Sequence, residues 1–203
     1  PHLSNTRPGD FRFVDVDKDG EIDLDKDRTI VGNYMPDFTY GFGGTFGFKG
    51  IDFQIAFQGV HGNEILNLNR RYLDNMEGNV NGTTAAFNRW RSADNIGDGQ
   101  TNRANRKQTG SNGRTSTWHT EDGSYLRLQN IALGYTLPAS WTRKFYVEKL
   151  RIYVSAQNLV TWTDYSGYNP EVSLRTSSAL TPGEDYGTYP LAKTFMVGLN
   201  VTF

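Results

Sequence analysis

Residues 38–48 of the chain read FTYGFGGTFGF, and residues 51–58 continue as IDFQIAFQ after a Lys49-Gly50 turn. Both stretches alternate an apolar position, mostly aromatic or β-branched, with a small or polar one. This period of two predicts strands, and the two-residue connection predicts an antiparallel hairpin over residues 38–60. Because one face of the hairpin is apolar and the other is polar, we expect its two faces to contact different environments.

Three further strands are predicted by the same alternation. Two of them lie within residues 124–162, and the third lies within residues 191–203 and ends the chain at Phe203. In the first of the three, the apolar phase slips by one residue near Gln129, which predicts a β-bulge.

The segments that connect the strands alternate in length. Short turns at residues 49–50 and 138–148 alternate with long polar segments at 61–123 and 163–190, and residues 1–37 precede the first strand. Short turns on one side and long loops on the other are typical of outer-membrane barrels, whose long loops are extracellular. The pattern therefore predicts an all-β fold, an antiparallel transmembrane β-barrel segment of five strands with long extracellular loops.

The composition excludes several classes of function. The chain has 21 Lys and Arg against 22 Asp and Glu, for a net charge of −1, and it contains no nucleic-acid-reading motif, so no nucleic-acid partner is expected. It has no Cys, which excludes thiolate catalysis and Cys-ligated zinc. We find no paired nucleophile and base, and we predict that the chain is not an enzyme.

Residues 15–23 read DVDKDGEID and resemble the first half of a calcium-binding loop. Oxygen ligands at positions 1, 3, 5 and 9 of such a loop and a glycine at position 6 fit this stretch, but Lys26 stands at position 12, where a bidentate acid belongs. Asp27 follows one residue late. A solvated acidic turn is the simpler alternative. The predicted structural Ca²⁺ ligands are Asp15, Asp17, Asp19, Glu21, Asp23 and Asp27.

Aromatic residues of the long segments are candidates for ligand contact, because aromatic faces stack on sugars and anchor interfaces. The candidates are Tyr72, Trp90, Trp118, Tyr165 and Tyr168. A basic stretch with no acids runs over residues 103–114 and includes Arg103, Arg106, Lys107 and Arg114. This stretch suits an acidic partner or lipid phosphates, and a solvated loop is the simpler interpretation.

Ordered blocks along residues 8–203 resemble the C-terminal part of TonB-dependent transporters of the SusC and RagA type. The blocks are DGEID (19–23), RTIVGN (28–33), FTYGF (38–42), FQGV with GN (57–63), NRW (88–90), EDGSYLRL (121–128), LGYTLP (133–138), QNL (157–159), GYNPEV (167–172) and the terminal Phe203.

The resemblance implies that these strands are the last five of a twenty-two-stranded barrel in the bacterial outer membrane. It also implies TonB-dependent import of oligosaccharides or oligopeptides, a SusD-like surface lipoprotein that covers the barrel as a lid, and TonB as the energy-coupling partner. Polar-face residues such as Gln54, Gln58, Arg151, Tyr153 and Gln157 are then expected to line the lumen. The apolar face is expected to contact outer-membrane lipid.

An alternative of a different class stays open from the residues alone. A soluble, secreted, calcium-binding β-sandwich that acts as a carbohydrate-binding or adhesion module also has alternating strands. It would bury the apolar face against a second sheet.

Overall fold

The computed structural model describes residues 1–23, 25–79, 81–107, 110–172 and 182–203. The rest of the chain, including residues 173–181 of the predicted loop 163–190, lies outside the described residues. Within the described part, no helix has the length and apolar character needed to cross a membrane.

Among the described residues, eight strands and two short α-helices form the regular structure. The strands are β1 (Phe38–Phe48), β2 (Ile51–His61), β3 (Glu64–Asn67), β4 (Thr120–Asp122), β5 (Tyr125–Thr136), β6 (Lys149–Thr163), β7 (Glu184–Asp185) and β8 (Thr194–Thr202), and the helices are α1 (Leu68–Leu73) and α2 (Ala139–Thr142). Short 3₁₀ turns lie at Thr84–Asn88, Thr117–His119 and Arg143–Phe145.

The five long strands form one antiparallel sheet in the order β1-β2-β5-β6-β8. This sheet belongs to the compact unit made of residues 35–63, 122–171 and 189–203. The other unit comprises residues 1–34, 64–121 and 172–188 and contains the small strands β3 and β7. These two small strands pair in parallel, with Leu66 opposite Glu184.

The β1–β2 hairpin turn follows from its two central residues. Lys49 has φ 48° and Gly50 has φ 86°, and two consecutive positive φ angles are the mark of a type I′ turn, which matches the twist of the flanking strands. The register then pairs Phe48 with Ile51 and Phe42 with Phe57, and the Phe42 and Phe57 rings stack 4.8 Å apart. The predicted hairpin turn is thus present.

The predicted bulge lies at Gln129. Phe57 pairs with Leu128 whereas Ala56 pairs with Asn130, so Gln129 is the extra residue of β5. Without the bulge, strict alternation would place Arg127 on the same face as Ile131. The bulge instead places Arg127 on the polar face opposite Gln58, and so avoids a guanidinium among apolar side chains.

The two faces of the sheet differ sharply in polarity. On one face the register aligns apolar residues across all the strands, for example Phe53 with Leu133 and Val154 with Val197. Phe46 is 63% exposed and Val197 is 78% exposed, so no other part of the described chain covers this face. A continuous exposed apolar surface of this kind marks contact with lipid or a partner rather than with water.

The core of the 1–34, 64–121 and 172–188 unit is mostly polar. Ile65 is its one fully buried apolar residue among those described, whereas Asn112, His119 and Asp185 are also fully buried. Buried polar groups need hydrogen-bond partners, and the fold of this unit therefore depends on a network of side-chain contacts.

Candidate functional site

The aspartate loop brings three of its six predicted ligands together. The carboxylates of Asp15, Asp17 and Asp19 offer oxygens that all lie within 4.8 Å of one another. Gly20, with φ 92°, makes the turn that allows its own N–H to donate to Asp15 Oδ2 at 3.0 Å. The other oxygen, Asp15 Oδ1, is buried and has no hydrogen-bond partner. A buried carboxylate oxygen without a donor fits a cation.

The structure places the remaining predicted ligands elsewhere in the loop. Both oxygens of Asp27 accept backbone N–H groups, Oδ1 from Val16 at 2.7 Å and Oδ2 from Asp23 at 2.6 Å. These hydrogen bonds hold the pKa of Asp27 below its ordinary value, first through Asp23 and then through Val16. Asp23 Oδ1 in turn accepts from the Asp25 N–H at 2.7 Å, and Glu21 is exposed. Asp27 therefore closes the loop through the backbone and does not join the carboxylate cluster.

Lys26 supplies a positive charge at the edge of the cluster. Its Nζ lies 3.2 Å from Asp19 Oδ2. This contact raises the pKa of Lys26, and the pKa of Asp19 is lowered, mainly by the N–H of Glu21 and then by Lys26. The ammonium partly neutralises three acids that would otherwise repel one another.

Three of the candidate aromatic residues lie in the 1–34, 64–121 and 172–188 unit, where each has a different packing partner. The Arg70 guanidinium carbon lies 3.9 Å from the centre of the Trp118 ring. The Tyr72 and Tyr186 rings pack edge-on, with their centres 5.7 Å apart. Trp90 covers Gly9, where an added Cβ would lie 2.4 Å from the indole ring.

Tyr165 and Tyr168 belong to the unit that carries the long sheet. Tyr165 is 5% exposed, whereas Tyr168 is 77% exposed. Tyr165 is thus part of the packing, and Tyr168 presents its ring to the surroundings.

Two adjoining cavities lie beside Trp118 and Tyr72. The larger, of about 700 Å³, is lined by Trp118 and by apolar residues of the N-terminal segment. The smaller, of about 440 Å³, is lined by Tyr72. Arg71 and Arg114 line both cavities. Tyr72 and Trp118 therefore each border one of these two cavities.

Comparisons with known proteins find related sequences over nearly the whole chain. The chain is 40% identical over 200 residues to TonB-dependent receptor P3 of Formosa agariphila, and the aligned region covers 97% of this chain and 19% of that protein. It is 27% identical over 203 residues to TonB-dependent receptor SusC of Bacteroides thetaiotaomicron, and that aligned region covers 98% of this chain and 18% of that protein. No family model matches the chain.

Solved structures show the same fold. The structure of the RagAB peptide importer in the open-open state matches 94% of this chain and 20% of the solved chain, with TM-score 0.73 and 26% identity. A second structure, of the RagAB peptide transporter, matches 90% of this chain with TM-score 0.74 and 24% identity. The chain is a homologue of the TonB-dependent receptors. The resemblance to the SusC and RagA type is confirmed, and so is the predicted fold class of an antiparallel barrel segment.

This receptor homologue spans about a fifth of the length of the relatives that it matches. It shares the barrel fold of those transporters, and within its described residues the polar face of its sheet is crossed by an ion pair. Arg151 Nε donates to Asp52 Oδ1 at 2.8 Å, and the Arg151 guanidinium lies 4.8 Å from the centre of the Tyr153 ring. Arg151 and Tyr153, two of the predicted lumen residues, thus stand together on that face.

A buried cluster of the receptor homologue escaped the sequence analysis. Arg127 is 3% exposed, and its guanidinium contacts Glu171, Asn169 Oδ1 at 3.0 Å and Thr161 Oγ1 at 2.9 Å. Tyr125 donates its hydroxyl to Glu171 Oε1 at 2.7 Å. The cluster ties residues 169–171 to the polar face of the sheet. Arg127 and Glu171 both lie in blocks of the family resemblance, which was the one available signal.

A second missed residue is His119. It is fully buried, its Nδ1 accepts from the Ser116 N–H at 3.3 Å, and its Nε2 has no partner. Burial, followed by the charges of Arg70 and Arg71, lowers the pKa of His119 to about 4. The imidazole is therefore neutral at physiological pH.

Proposed function

We propose that the complete protein is a TonB-dependent importer of the bacterial outer membrane and that this chain supplies five strands of its barrel wall. The observation that carries the proposal is the two-faced sheet, with an exposed apolar face and an opposite face that holds Asp52, Arg151 and Tyr153. Transmembrane barrels place apolar side chains toward lipid and polar ones toward the lumen. The relatives named as TonB-dependent receptors support the same assignment.

The register further supports short turns on one side of the membrane and long loops on the other. Phe48 pairs with Ile51 and Thr136 pairs with Arg151 at the end of the sheet that carries both short turns. The opposite end, where Tyr125 pairs with Thr163, carries the long connections. We assign the short turns to the periplasmic side and the long segments to the cell exterior.

The proposed partners follow from the relatives. One relative is named TonB-dependent receptor SusC, and a solved relative is described as the RagAB peptide importer. We therefore assign to this protein a SusD-like lipoprotein lid, TonB as the energy source and an oligopeptide or oligosaccharide as cargo. TonB would act through a part of the protein other than this chain.

The membrane assignment is tested by extracting outer membranes with detergent and probing a gel, with and without boiling, with an antibody to residues 97–117. A membrane band several times heavier than 22.9 kDa that shifts on boiling is expected of a closed barrel. A 22.9 kDa band in the soluble fraction that never shifts contradicts the proposal and favours the secreted β-sandwich.

Import is tested with fluorescent oligopeptide and oligosaccharide mixtures in cells that carry or lack TonB. Deletion of the gene for this protein and deletion of TonB are each expected to abolish the uptake of one mixture. A protein-dependent uptake that persists without TonB contradicts the mechanism. Which mixture loses uptake identifies the cargo class.

The sandwich alternative is less consistent with the exposed apolar face. A sandwich packs a second sheet about 10 Å above the first, but Phe46, Val154 and Val197 are 63%, 48% and 78% exposed. Burying such a surface is worth roughly 25 cal/mol per Å², so a soluble protein would not leave it uncovered.

We also propose that the aspartate loop holds a structural Ca²⁺. The support is the convergence of Asp15, Asp17 and Asp19 and the buried, unpartnered Oδ1 of Asp15. Oxygen ligands at this spacing are those that Ca²⁺ prefers. The ion would order residues 15–27 of an extracellular segment.

Calcium binding is tested on the purified complete protein by titration with Ca²⁺ after chelation. The double variant Asp15→Asn, Asp19→Asn removes two of the three clustered charges and is expected to lose one bound ion per molecule. The variant Asp25→Asn lowers the charge of the same loop outside the cluster and serves as the control. Equal metal content in all three proteins would refute the site.

A further inference from the structure

The larger cavity is a cleft with an apolar wall and a basic rim. Leu3, Phe11, Phe13 and Trp118 are among the residues that line it, and the Phe11 and Trp118 rings contact each other at 5.1 Å. Its volume of about 700 Å³ lies within the range of small-molecule sites, which are mostly apolar with a few placed polar groups. The shape and chemistry of the wall suit an apolar body of moderate size.

Four arginines line this cleft, namely Arg12, Arg28, Arg71 and Arg114. Arg71 and Arg114 line both the larger cavity and the adjoining one of about 440 Å³. They stand where the two spaces meet, so a ligand in the larger cavity presents one end to both arginines.

Among the described residues Arg71 is exposed and Arg114 is half-buried, and neither forms the kind of ion pair that four other arginines form. Arg70 pairs with Glu121, Arg103 with Asp10, Arg127 with Glu171 and Arg151 with Asp52. Among the described residues, Arg71 and Arg114 have no carboxylate within 4.0 Å, and Arg114 Nε is buried without a hydrogen-bond partner. A buried N–H without an acceptor is costly, and a bound anion would relieve that cost.

The three acids that border the two cavities already accept hydrogen bonds, and Asp23 Oδ1 accepts the Asp25 N–H at 2.7 Å. Asp27 accepts the N–H groups of Val16 and Asp23, and Glu77 Oε1 accepts the Gly110 N–H at 2.8 Å and Asn112 Nδ2 at 3.2 Å. Their charges are therefore partly offset by these donors, and none of these acids pairs with Arg71 or Arg114 among the described residues.

We infer that this cleft binds a ligand that carries a carboxylate on an apolar body, with the carboxylate on Arg71 and Arg114 and the body against Phe11 and Trp118. A guanidinium binds a carboxylate through two parallel N–H donors, which is why it suits this group. The inference rests on the proposed import function and adds to it the chemistry that the extracellular segments select.

The test uses the complete protein in detergent at pH 7.5 and isothermal titration with matched probes. The first pair is N-acetyl-leucyl-phenylalanine and its C-terminal amide, which differ only in the carboxylate. Two further acids separate the requirements, since 4-phenylbutyrate has an apolar body without a peptide and glucuronate has a carboxylate without an apolar body.

The acid is expected to bind at least about tenfold more tightly than the amide, as for other hydrogen bonds to charged groups. Arg71→Gln and Arg114→Gln are each expected to remove that preference. Arg106→Gln is expected to retain it, because Arg106 donates to Asn79 Oδ1 on an exposed loop and borders neither cavity. The boiling shift on a gel shows that each variant is folded.

Equal affinities of acid and amide, or an unchanged preference in both cavity variants, would overturn the inference. Glucuronate binding as tightly as the dipeptide would overturn the apolar part of it. Binding of 4-phenylbutyrate shows that any carboxylate on an apolar body suffices, and its failure restricts the site to peptide carboxyl ends. If the protein shows no preference for the acid over the amide but still supports TonB-dependent uptake, this inference is refuted and the proposed import function stands.

Discussion

Arg151 in β6 reaches across Gly134 in β5 to form a two-pronged ion pair with Asp52 in β2. The pair spans three strands because Gly134 has no side chain. A Cβ at this position would lie 2.5 Å from Arg151 Nη2 and 2.6 Å from Asp52 Oδ1. The glycine thus leaves room for a contact between Asp52 and Arg151 on the two neighbouring strands, and this contact links β2 to β6 on the polar face.

Replacing Gly134 with Ala is therefore expected to open the ion pair and to lower the temperature at which the folded band is lost on a gel. In a background that carries Asp52→Asn and Arg151→Gln, the same change is expected to have a smaller effect, because there is no charge pair left to separate. Gly47→Ala is the matched control, since a Cβ there meets nothing within 4 Å. An equal loss in both backgrounds would disprove the role of the pair.

The buried Arg127 cluster predicts a local anchor for residues 169–171. Arg127→Met is expected to destabilise this segment by about 1 to 2 kcal/mol, because it removes the guanidinium that donates to Asn169 and Glu171. Hydrogen exchange of residues 164–172 is the measurement. Glu171→Gln keeps an acceptor but leaves the buried Arg127 guanidinium without a carboxylate, so it is expected to cost at least as much. Slow exchange that is unchanged in Arg127→Met would mean that the segment is held by other contacts.

His119 predicts a pH dependence of the segment around it. Since its pKa is lowered from 6.5 to about 4, the unfolded segment binds a proton in the window between these values and the folded segment does not. Stability therefore falls as the pH drops from about 6.5 to about 4, by up to about 3 kcal/mol, and it is constant above that window.

Hydrogen exchange of residues 116–121 at pH 7.5 and pH 5 measures this effect. His119→Phe is expected to remove the pH dependence, after correction for intrinsic exchange, and His2→Gln is expected to leave it in place because His2 is exposed. A pH dependence that survives in His119→Phe would assign it to another group.

The position of Lys26 predicts that one substitution will improve the calcium loop. Lys26→Glu places an acid at the twelfth position and removes the ammonium that contacts Asp19. Calcium is expected to bind more tightly in this variant, by about tenfold or more, because affinity rises with the number of charged ligands. Lys26→Gln removes the ammonium without adding a ligand, so its calcium affinity should lie between those of the unsubstituted protein and Lys26→Glu. No difference among the three proteins would argue that the loop does not enclose an ion.

Adjacent residues of β8 test the assignment of the two faces. Val197 is 78% exposed on the apolar face, and Met196 next to it points to the polar face opposite Ser155. Val197→Arg is expected to cost about 2 to 4 kcal/mol if this face meets lipid near the midplane, whereas Met196→Arg should be tolerated. Folded protein recovered from the outer membrane is the measure. Equal recovery of both variants would contradict the lipid-facing assignment.

The sheet was predictable because its information is local. The alternation at residues 38–48, the Lys49-Gly50 turn and the phase slip at Gln129 each depend on neighbours in the chain, and the structure shows all three. The grouping of Asp15, Asp17 and Asp19 was predictable for the same reason, since a short loop brings them together.

The sequence by itself determined the strands, their two faces, the bulge and the class of protein, since a period of two and ordered motifs leave little freedom. Tertiary structure alone decided the contacts between residues that are far apart in the chain. Arg127 meets Glu171 across 44 positions, and Arg151 meets Asp52 across 99. It also decided that His119 is buried and that Arg71 and Arg114 border one cleft. Such contacts depend on how distant segments fold onto one another, which local patterns do not record.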